Sequence, residues 1–176
     1  TKAIEINPNY AYAYYNRGIA KGGLKDYYGA IADYTKAIEI DPNDASAYYN
    51  RGLAKDDLED NKGAIADFTK AIEIDPNDAS AYYNRGLAKY YLKDYYGAIA
   101  DCTKAIEINP NNAYAYYNRG LAKYDLKDYK GAIADYTKAI EINPNDAYAY
   151  YNRGVTKYDL KDYKGAIADF TKAIEI

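Results

Sequence analysis

The stretch from Ala79 to Ile108, ASAYYNRGLAKYYLKDYYGAIADCTKAIEI, decides the fold because near-copies of it recur along the chain every 34 residues. Within it, Asn-Arg-Gly begins at residue 84 and also at 16, 50, 118 and 152, and Gly-Ala-Ile-Ala-Asp begins at 97 and also at 29, 63, 131 and 165. A fixed period of this size is typical of stacked repeat proteins. Each repeat in such proteins contacts mainly its neighbours, so the period predicts one elongated domain with a linear core.

Each repeat is predicted to contain two helices joined by a short turn. In one copy, Pro76 is expected at the first helical position, because its missing N–H would be unpaired there anyway, and Asp75 is expected to cap the helix. This first helix is expected to run to about Leu92. Asp94 is expected to cap a second helix over residues 95–108, and the short turn makes the two helices antiparallel neighbours.

A glycine stands at one slot of the first helix in every repeat. Glycine inside a helix costs about 1 kcal/mol relative to alanine, so its recurrence indicates that another helix approaches closely there. The second helix carries apolar residues at helical spacing, which predicts the face that is buried. The glycines are Gly18, Gly52, Gly86, Gly120 and Gly154, and the apolar face of one copy holds Tyr95, Ala98, Ile99, Cys102, Ala105 and Ile106.

The unit resembles the tetratricopeptide repeat, a family whose pattern places Trp, Leu, Gly and Tyr on the first helix and Ala, an aromatic residue and Ala on the second, followed by Pro. In the third repeat, Tyr82 stands for the Trp, and the Gly and the two Ala are Gly86, Ala98 and Ala105. The resemblance covers the whole chain. It implies an all-α fold, a right-handed superhelical solenoid of antiparallel helix pairs. The predicted divisions are residues 1–10, the tail of a preceding repeat with a linker, and repeats at 11–44, 45–78, 79–112, 113–146 and 147–176.

Two slots depart from the family pattern. Where the family has Leu, every repeat of this chain has arginine, and where the family has Tyr, every repeat has lysine. A charge near a helix interface needs a partner. Counting back across the antiparallel turn places Arg85 level with Asp101, so we expect this pair and its equivalents to form ion pairs. The alternative is that the arginine lays its aliphatic stem over the interface and keeps its guanidinium in water.

The composition argues against an enzyme. The chain has no histidine, the commonest general base and metal ligand. Its Asp and Lys residues recur in every repeat, whereas an active site needs one unlike cluster. Cys102 is expected to be a buried thiol, since no histidine is present to activate it. We therefore predict no catalytic, cofactor-binding or metal-binding residues.

The charge and hydropathy patterns also narrow the partners. The net charge is −3 with acids and bases interleaved, which argues against a nucleic acid bound through its phosphates. Stacking of single-stranded nucleic acid on tyrosines is an alternative that the acidic balance does not favour. We find no apolar run long enough to span a bilayer and no signal-peptide pattern, so we predict no membrane partner and a cytoplasmic location.

The family resemblance implies that the first helices line a concave groove that binds peptides. Two lines of side chains are expected in this groove. An amide donates and accepts hydrogen bonds at once, so a line of amides could hold the backbone of an extended peptide whatever its sequence. The alternative is that each asparagine bonds a neighbouring helix. The amide line is Asn16, Asn50, Asn84, Asn118 and Asn152, and the aromatic line is Tyr15, Tyr49, Tyr83, Tyr117 and Tyr151.

Affinity is expected to come from tyrosine surface. A net hydrogen bond contributes only about 0.5–1.5 kcal/mol, against an association cost of about 4–15 kcal/mol. A tyrosine joins an apolar ring to a polar tip. Tyr90, Tyr124 and Tyr158 share a slot that holds Gly22 and Asp56 in the first two repeats, so the third to fifth repeats are expected to bind more strongly.

The leading hypothesis is a non-catalytic protein–protein interaction module that binds peptide segments in a groove lined by Tyr and Asn. The alternative is a structural, self-associating or designed scaffold, which the near-identity of the repeats favours. A start without Met, partway through a repeat, indicates a fragment or a designed protein. A bare apolar face with Ile167, Phe170 and Ile174 predicts association of chains through their ends.

Overall fold

Eleven α-helices make up the part of the chain that this computed structural model describes, residues 2–176. Over this range no helix has both the length and the apolar composition that crossing a membrane requires. The first and second helices of the repeats alternate along the chain. The bounds are α1 Lys2–Ile6, α2 Ala11–Gly23, α3 Tyr27–Ile40, α4 Ala45–Asp56, α5 Asn61–Ile74, α6 Ala79–Tyr91, α7 Tyr95–Ile108, α8 Ala113–Asp125, α9 Tyr129–Ile142, α10 Ala147–Asp159 and α11 Tyr163–Glu175.

The two helices of a repeat form an antiparallel hairpin. In the first repeat, the ammonium of Lys21 reaches the carbonyl oxygen of Gly29, eight residues later, and the guanidinium of Arg17 reaches Asp33, sixteen residues later. Residues at increasing distances on either side of the turn thus contact each other in order, which is the pattern of two antiparallel helices. The same packing joins α4 to α5, α8 to α9 and α10 to α11. The predicted all-α solenoid of helix pairs is therefore confirmed.

The described residues divide into two compact units, of which the first ends at Ala88 and the second is Lys89–Ile176. In these described residues α2 contacts α4 and α8 contacts α10, whereas α3 and α5 do not contact each other and neither do α9 and α11. First helices therefore lie closer together than second helices, so each unit curves with its first helices on the inner side. A single domain over residues 1–176 stays a prediction.

The first helices begin later than the sequence analysis predicted. The helix α6 begins at Ala79, and Asp78 caps it by accepting hydrogen bonds from the backbone N–H of Ser80 and Ala81. Pro76 lies in the preceding turn, where the Asp75 carboxylate accepts from the N–H of Asn77 at 3.0 Å. The predicted positions of Pro76 and Asp75 were wrong, because Asp in this turn bonds its own backbone two residues on and so forms a turn of its own before the helix.

The glycine slot of the first helix faces an aromatic ring of the second helix. A Cβ atom on Gly18 would lie 2.6 Å from a ring carbon of Tyr34, and one on Gly120 would lie 2.7 Å from Tyr136. The equivalent distances are 2.7 Å at Gly52 and 2.8 Å at Gly154. Real Cβ contacts are longer than this, so the close helix approach predicted from the glycines is confirmed at these four positions.

The turn inside each hairpin contains a residue with left-handed backbone. Lys127, for example, has φ of 63°, and its N–H donates to the carbonyl oxygen of Tyr124 while the N–H of Asp128 donates to that of Lys123. These bonds satisfy carbonyl groups at the end of the first helix. Glycine is the usual residue there, and an L-residue with a side chain adopts this conformation at a cost. The other such residues are Lys25, Glu59, Lys93 and Lys161.

Candidate functional site

A buried carboxylate on the second helix is held by two cations of the first helix. The guanidinium of Arg51 donates to both oxygens of Asp67, from Nε at 2.9 Å and from Nη2 at 2.6 Å, and Lys55 Nζ lies 2.7 Å from the same carboxylate. This two-point geometry confirms the predicted Arg–Asp pairing and contradicts the alternative of a guanidinium in water. The equivalent sets are Arg17–Asp33–Lys21, Arg119–Asp135–Lys123 and Arg153–Asp169–Lys157.

The same arginine joins one repeat to the preceding one. Nη1 of Arg51 donates to the hydroxyl of Thr35 at 3.0 Å, and the guanidinium carbon lies 5.5 Å from the ring centre of Tyr48. Burial opposes ionisation of Asp33, but the hydrogen bonds from Arg17 and Lys21 outweigh it and hold the pKa of that carboxyl below its usual value. The arginine and the lysine thus both bind the buried aspartate of the second helix. This pairing explains why cations stand at the two positions where the family pattern has Leu and Tyr.

The amide line contacts the aromatic line of the preceding repeat. Nδ2 of Asn50 donates to the hydroxyl of Tyr15 at 3.1 Å and to the carbonyl oxygen of Ser46 at 2.8 Å. Asn84 makes the same two bonds, to Tyr49 at 2.9 Å and to Ser80 at 3.0 Å. Each of these amides therefore donates both of its N–H bonds within the protein, as the alternative in the sequence analysis held.

The second unit contains the same arrangement. Nδ2 of Asn152 donates to the hydroxyl of Tyr117 and to the carbonyl oxygen of Tyr148, both at 2.9 Å. The ring of Tyr117 packs on Tyr136 with the ring centres 5.9 Å apart. Burial raises the pKa of Tyr117, and the charge of Asp146 adds to this. The hydroxyl of Tyr117 is therefore neutral and serves as the acceptor for the amide.

Other members of the two predicted lines lie in different surroundings. Asn16 is exposed and donates to the carbonyl oxygen of Tyr12, whereas Asn118 is buried. Tyr83 is half-buried, and Tyr151 is more than half exposed although its ring packs 5.7 Å from that of Phe170. The two lines therefore differ in access to solvent from one repeat to the next.

The third predicted set of tyrosines also makes contacts between repeats. The ring of Tyr124 lies 5.5 Å from that of Tyr129, and its hydroxyl donates to Asp159 of the next repeat at 2.7 Å. This hydrogen bond, with burial, raises the pKa of Tyr124 to about 12. Tyr90 is hydrogen-bonded to Asp125 in the same way. Tyr158 is more than half exposed. These carboxylate partners were not predicted from the sequence, although a spacing of 35 residues joins both pairs.

A cavity of about 400 Å³ lies in the second unit, beside the turn between α9 and α10 and the beginnings of α8 and α10. Tyr114 and Tyr148 line it, and both are mostly exposed. The hydroxyl-bonded Tyr117 and the cap residue Asp146 also line it. An open cavity with aromatic walls and a few polar groups is the usual form of a binding site.

A second cavity, of about 660 Å³, lies between α10 and α11. Tyr151, Phe170 and Ile174 line it, and Ile174 is 85% exposed. In the fourth repeat the equivalent of Ile174 is Ile140, which is buried against Ala149 of α10. The residues that line this cavity therefore correspond to those that contact the first helix of the next repeat elsewhere in the chain.

Cys102 is buried, with 1% of its surface exposed. Burial raises the pKa of this thiol to about 12, and the nearby Asp101 adds to this. A thiol with such a pKa is a poor nucleophile at neutral pH.

The family model for the tetratricopeptide repeat matches residues 11–44, 79–112, 113–146 and 147–176. The chain belongs to the tetratricopeptide repeat family. Two further models of tetratricopeptide repeats match residues 33–66 and 57–92. The tetratricopeptide repeat fold is that of a protein–protein interaction module, and such modules are generally non-catalytic.

Several solved structures are similar to this tetratricopeptide repeat chain over most of their length. The crystal structure of MamA is 31% identical, with a TM-score of 0.87 over 90% of this chain and 92% of its own. MamA from Desulfovibrio magneticus RS-1, from residue 41 to its end, is 25% identical, with a TM-score of 0.89 over 94% and 93%. YrrB, described as a TPR protein with an unusual peptide-binding site, is 29% identical, with a TM-score of 0.85 over 99% and 90%. A search of curated proteins finds no match.

Proposed function

We propose that the chain is a non-catalytic module that binds an extended peptide along the inner side of its first helices. The observation that carries the proposal is the open cavity of about 400 Å³ between the exposed rings of Tyr114 and Tyr148. The similar fold of YrrB, a TPR protein with a peptide-binding site, supports it.

The polar and apolar groups have separate roles in this proposal. Asn152 follows the cavity residue Tyr148 by one helical turn, and its amide uses both N–H bonds internally. Its carbonyl oxygen is then the atom that accepts a hydrogen bond from the N–H of a peptide extending beyond the cavity. One such bond contributes about 0.5–1.5 kcal/mol, which is too little to offset the cost of association. The rings of Tyr114 and Tyr148 supply the apolar contact area, and Tyr90, Tyr124 and Tyr158 extend this surface.

The experiment measures the binding of an array of short synthetic peptides to the intact chain. The test variant is Tyr114→Ser with Tyr148→Ser, because serine stands at the same slot in Ser46 and Ser80 and is compatible with the fold. The control variant is Tyr96→Lys, which removes an exposed tyrosine from a second helix where other repeats carry lysine.

We expect the serine variant to lose peptide binding and the control to retain it. A second pair of variants distinguishes loss of the amide acceptor from loss of the internal hydrogen bond that positions it. Asn152→Ala removes the carbonyl acceptor, whereas Tyr117→Phe removes the internal bond and keeps the acceptor. Loss of binding in the first and retention in the second supports the proposal. Peptide binding that is unchanged in the serine variant, or absent in the intact chain, contradicts it.

A second candidate function is self-association, which the cavity between α10 and α11 favours. Thr171 of α11 is the equivalent of Thr137, which bonds Arg153, and Arg17 of α2 is the equivalent of Arg153. The side chain of Arg17 is 32% exposed against 15% for Arg153, although α1 of its own chain contacts α2. The proposed contact therefore requires α11 of one copy to displace α1 from α2 of another. Ile174→Lys is expected to abolish any concentration-dependent rise in mass in sedimentation, with Tyr96→Lys as control. A mass that stays monomeric for the intact chain contradicts this function.

A further inference from the structure

A small cavity of about 190 Å³ lies in the first compact unit beside Gly22, near the end of α2. Tyr27 and Tyr34 of α3 form one wall, and Asp57 lies at the other side. Apart from the adjacent residues and the backbone of α2 itself, no atom lies within 4 Å of the place where a Cβ of Gly22 would be. The space beside Gly22 is therefore open, and it carries both an aromatic ring and a carboxylate.

The second unit shows which group occupies this place when a side chain is present. Tyr124 is the equivalent of Gly22, 102 residues later in the chain, and Tyr129 and Asp159 are the equivalents of Tyr27 and Asp57. The ring of Tyr124 packs 5.5 Å from Tyr129, and its hydroxyl donates to Asp159 at 2.7 Å. The cavity at Gly22 thus has the wall and the acceptor that hold a tyrosine ring elsewhere in the same chain.

We infer that the cavity beside Gly22 is a binding site for a neutral phenol, which packs its ring against Tyr27 and donates its hydroxyl to the carboxylate of Asp57. A hydrogen bond to a charged acceptor is about twice as strong as one between neutral groups, so the site selects a phenol over a benzene ring without a hydroxyl.

The charge around the cavity adds a second selection. Asp56 precedes Asp57, and both burial and the charge of Asp57 raise the pKa of Asp56. Glu59 and Asp60 follow closely in the sequence. A phosphorylated tyrosine would bring two negative charges toward this acidic segment, and like charges repel. The site therefore binds an unmodified tyrosine ring and does not bind phosphotyrosine.

The phenol has two possible sources, a free small molecule and the tyrosine side chain of a peptide. The peptide source rests on the proposed function, whereas binding of the free phenol does not. The two sources are separated by titrating the intact chain with p-cresol and, in a parallel arm, with the peptide Gly-Gly-Tyr-Gly-Gly. Toluene and Gly-Gly-Phe-Gly-Gly are the matched ligands without a hydroxyl.

The titrations are followed by chemical-shift changes in NMR spectra. We expect p-cresol to bind at least about tenfold more tightly than toluene, with the largest shifts at Gly22, Tyr27 and Asp57. Asp57→Ala is expected to reduce p-cresol to the affinity of toluene. Gly22→Tyr fills the cavity with the chain's own ring and is expected to abolish binding and raise the melting temperature. Gly23→Tyr, at an exposed neighbour with no atom near its Cβ position, is the control and is expected to bind normally.

A gain of function gives an independent test in the other unit. Tyr124→Gly is expected to create a second phenol site between Tyr129 and Asp159, so the number of bound p-cresol molecules rises from one to two. The inference is overturned if p-cresol binds no better than toluene, or if Gly22→Tyr binds it as the intact chain does. The variant with serine at 114 and 148 is expected to keep p-cresol binding, so failure of the peptide proposal and failure of this site are distinguishable.

Discussion

The amide nitrogen of Asn84 lies 2.9 Å from the hydroxyl oxygen of Tyr49, one repeat earlier in the chain. The tyrosine ring packs 5.8 Å from Phe68 of its own repeat. One hydrogen bond thus connects the core of the second repeat to the first helix of the third. The relationship recurs between Asn50 and Tyr15 and, in the second unit, between Asn152 and Tyr117, so it sets the position of successive first helices.

A double-mutant cycle of Tyr49→Phe and Asn84→Ala tests this connection. Each substitution is expected to lower the free energy of unfolding by about 1 kcal/mol, with a coupling of about 0.5–1.5 kcal/mol between them. Urea denaturation measures all four proteins. Asn16→Ala, where the exposed amide bonds the backbone oxygen of Tyr12, is the control and is expected to cost less. Additive effects of the two substitutions would show that the hydrogen bond does not stabilise the junction.

A methyl group at the glycine slot is expected to destabilise the chain. Gly120→Ala places a Cβ 2.7 Å from a ring carbon of Tyr136, which is fully buried and has little room to move. The expected loss is about 1–3 kcal/mol. Gly23→Ala adds the same methyl group at the last residue of α2, where no atom from outside its own turn of helix lies within 4 Å, and it is expected to be neutral or to stabilise the chain by up to about 1 kcal/mol. Equal thermal stability of the two variants would contradict the close approach.

The ion network is expected to make stability depend on acid pH. Burial opposes ionisation of Asp169, but hydrogen bonds from Arg153 and Lys157 outweigh it, so the pKa of Asp169 is below its usual value. A carboxylate with a lowered folded pKa stabilises the protein fully above its unfolded pKa of about 3.9. This contribution is lost as the pH falls through the lower, folded pKa.

The measurement is the free energy of unfolding of the intact chain and of Asp169→Asn across the acid range. The difference between the two proteins is expected to be largest above about pH 5 and to shrink toward about pH 2. Glu141→Gln, which alters an exposed pair with Lys138, is expected to show a small difference at every pH. A difference for Asp169→Asn that does not change with pH would refute the stabilising ion network.

Cys102 is expected to resist thiol reagents in the folded chain. Its surface is almost fully buried and burial raises its pKa to about 12, so few molecules expose a thiolate at neutral pH. Reaction with an aromatic disulfide is expected to be slow without denaturant and complete within the mixing time in concentrated urea. Rapid labelling of the folded chain would show that the second unit opens at Cys102 far more often than its packing predicts.

The hairpin turn offers a stabilising substitution. Lys127 has φ of 63°, a conformation that costs an L-residue about 1–2 kcal/mol and glycine nothing comparable. Lys127→Gly is therefore expected to raise the free energy of unfolding by up to about 1 kcal/mol after the entropy of glycine is included. Lys130→Gly, in the first turn of α9, is the control and is expected to lower it. A less stable Lys127→Gly protein would indicate that this side chain contributes contacts worth more than the strain.

The fold could be predicted from the sequence because helix pairing is decided by spacing within a repeat. The bounds of α7 follow from apolar periodicity and from Asp94 as its cap, and both are confirmed. The pairing of Arg51 with Asp67 follows from counting across the turn. The first-helix start was wrong because two aspartates compete for the role of cap, and local hydrogen-bond geometry decides between Asp75 and Asp78.

The contacts between repeats could not be predicted in the same way. Whether Tyr49 reaches Asn84 depends on the rotation and translation between successive hairpins, which periodicity does not specify. Lys55 was recognised as a departure from the family pattern, but its sharing of Asp67 with Arg51 requires the depth of both side chains in the hairpin. The role of the amide line and the tyrosine lines in binding stays a prediction.

The threonine that bonds the arginine of the next repeat has a wider consequence. The same hydrogen bond joins Thr35 to Arg51 and Thr137 to Arg153. The contacts at one junction between repeats are therefore almost the same as those at another. During refolding a hairpin can dock on a wrong hairpin, of its own chain or of another, with nearly native contacts. The yield of protein with its repeats packed in the correct order is therefore expected to fall as chains are refolded at higher concentration. Differences between repeats, such as Gly22 in the first and Tyr124 at the same slot of the fourth, are among the few that make native packing more stable than packing in a wrong order.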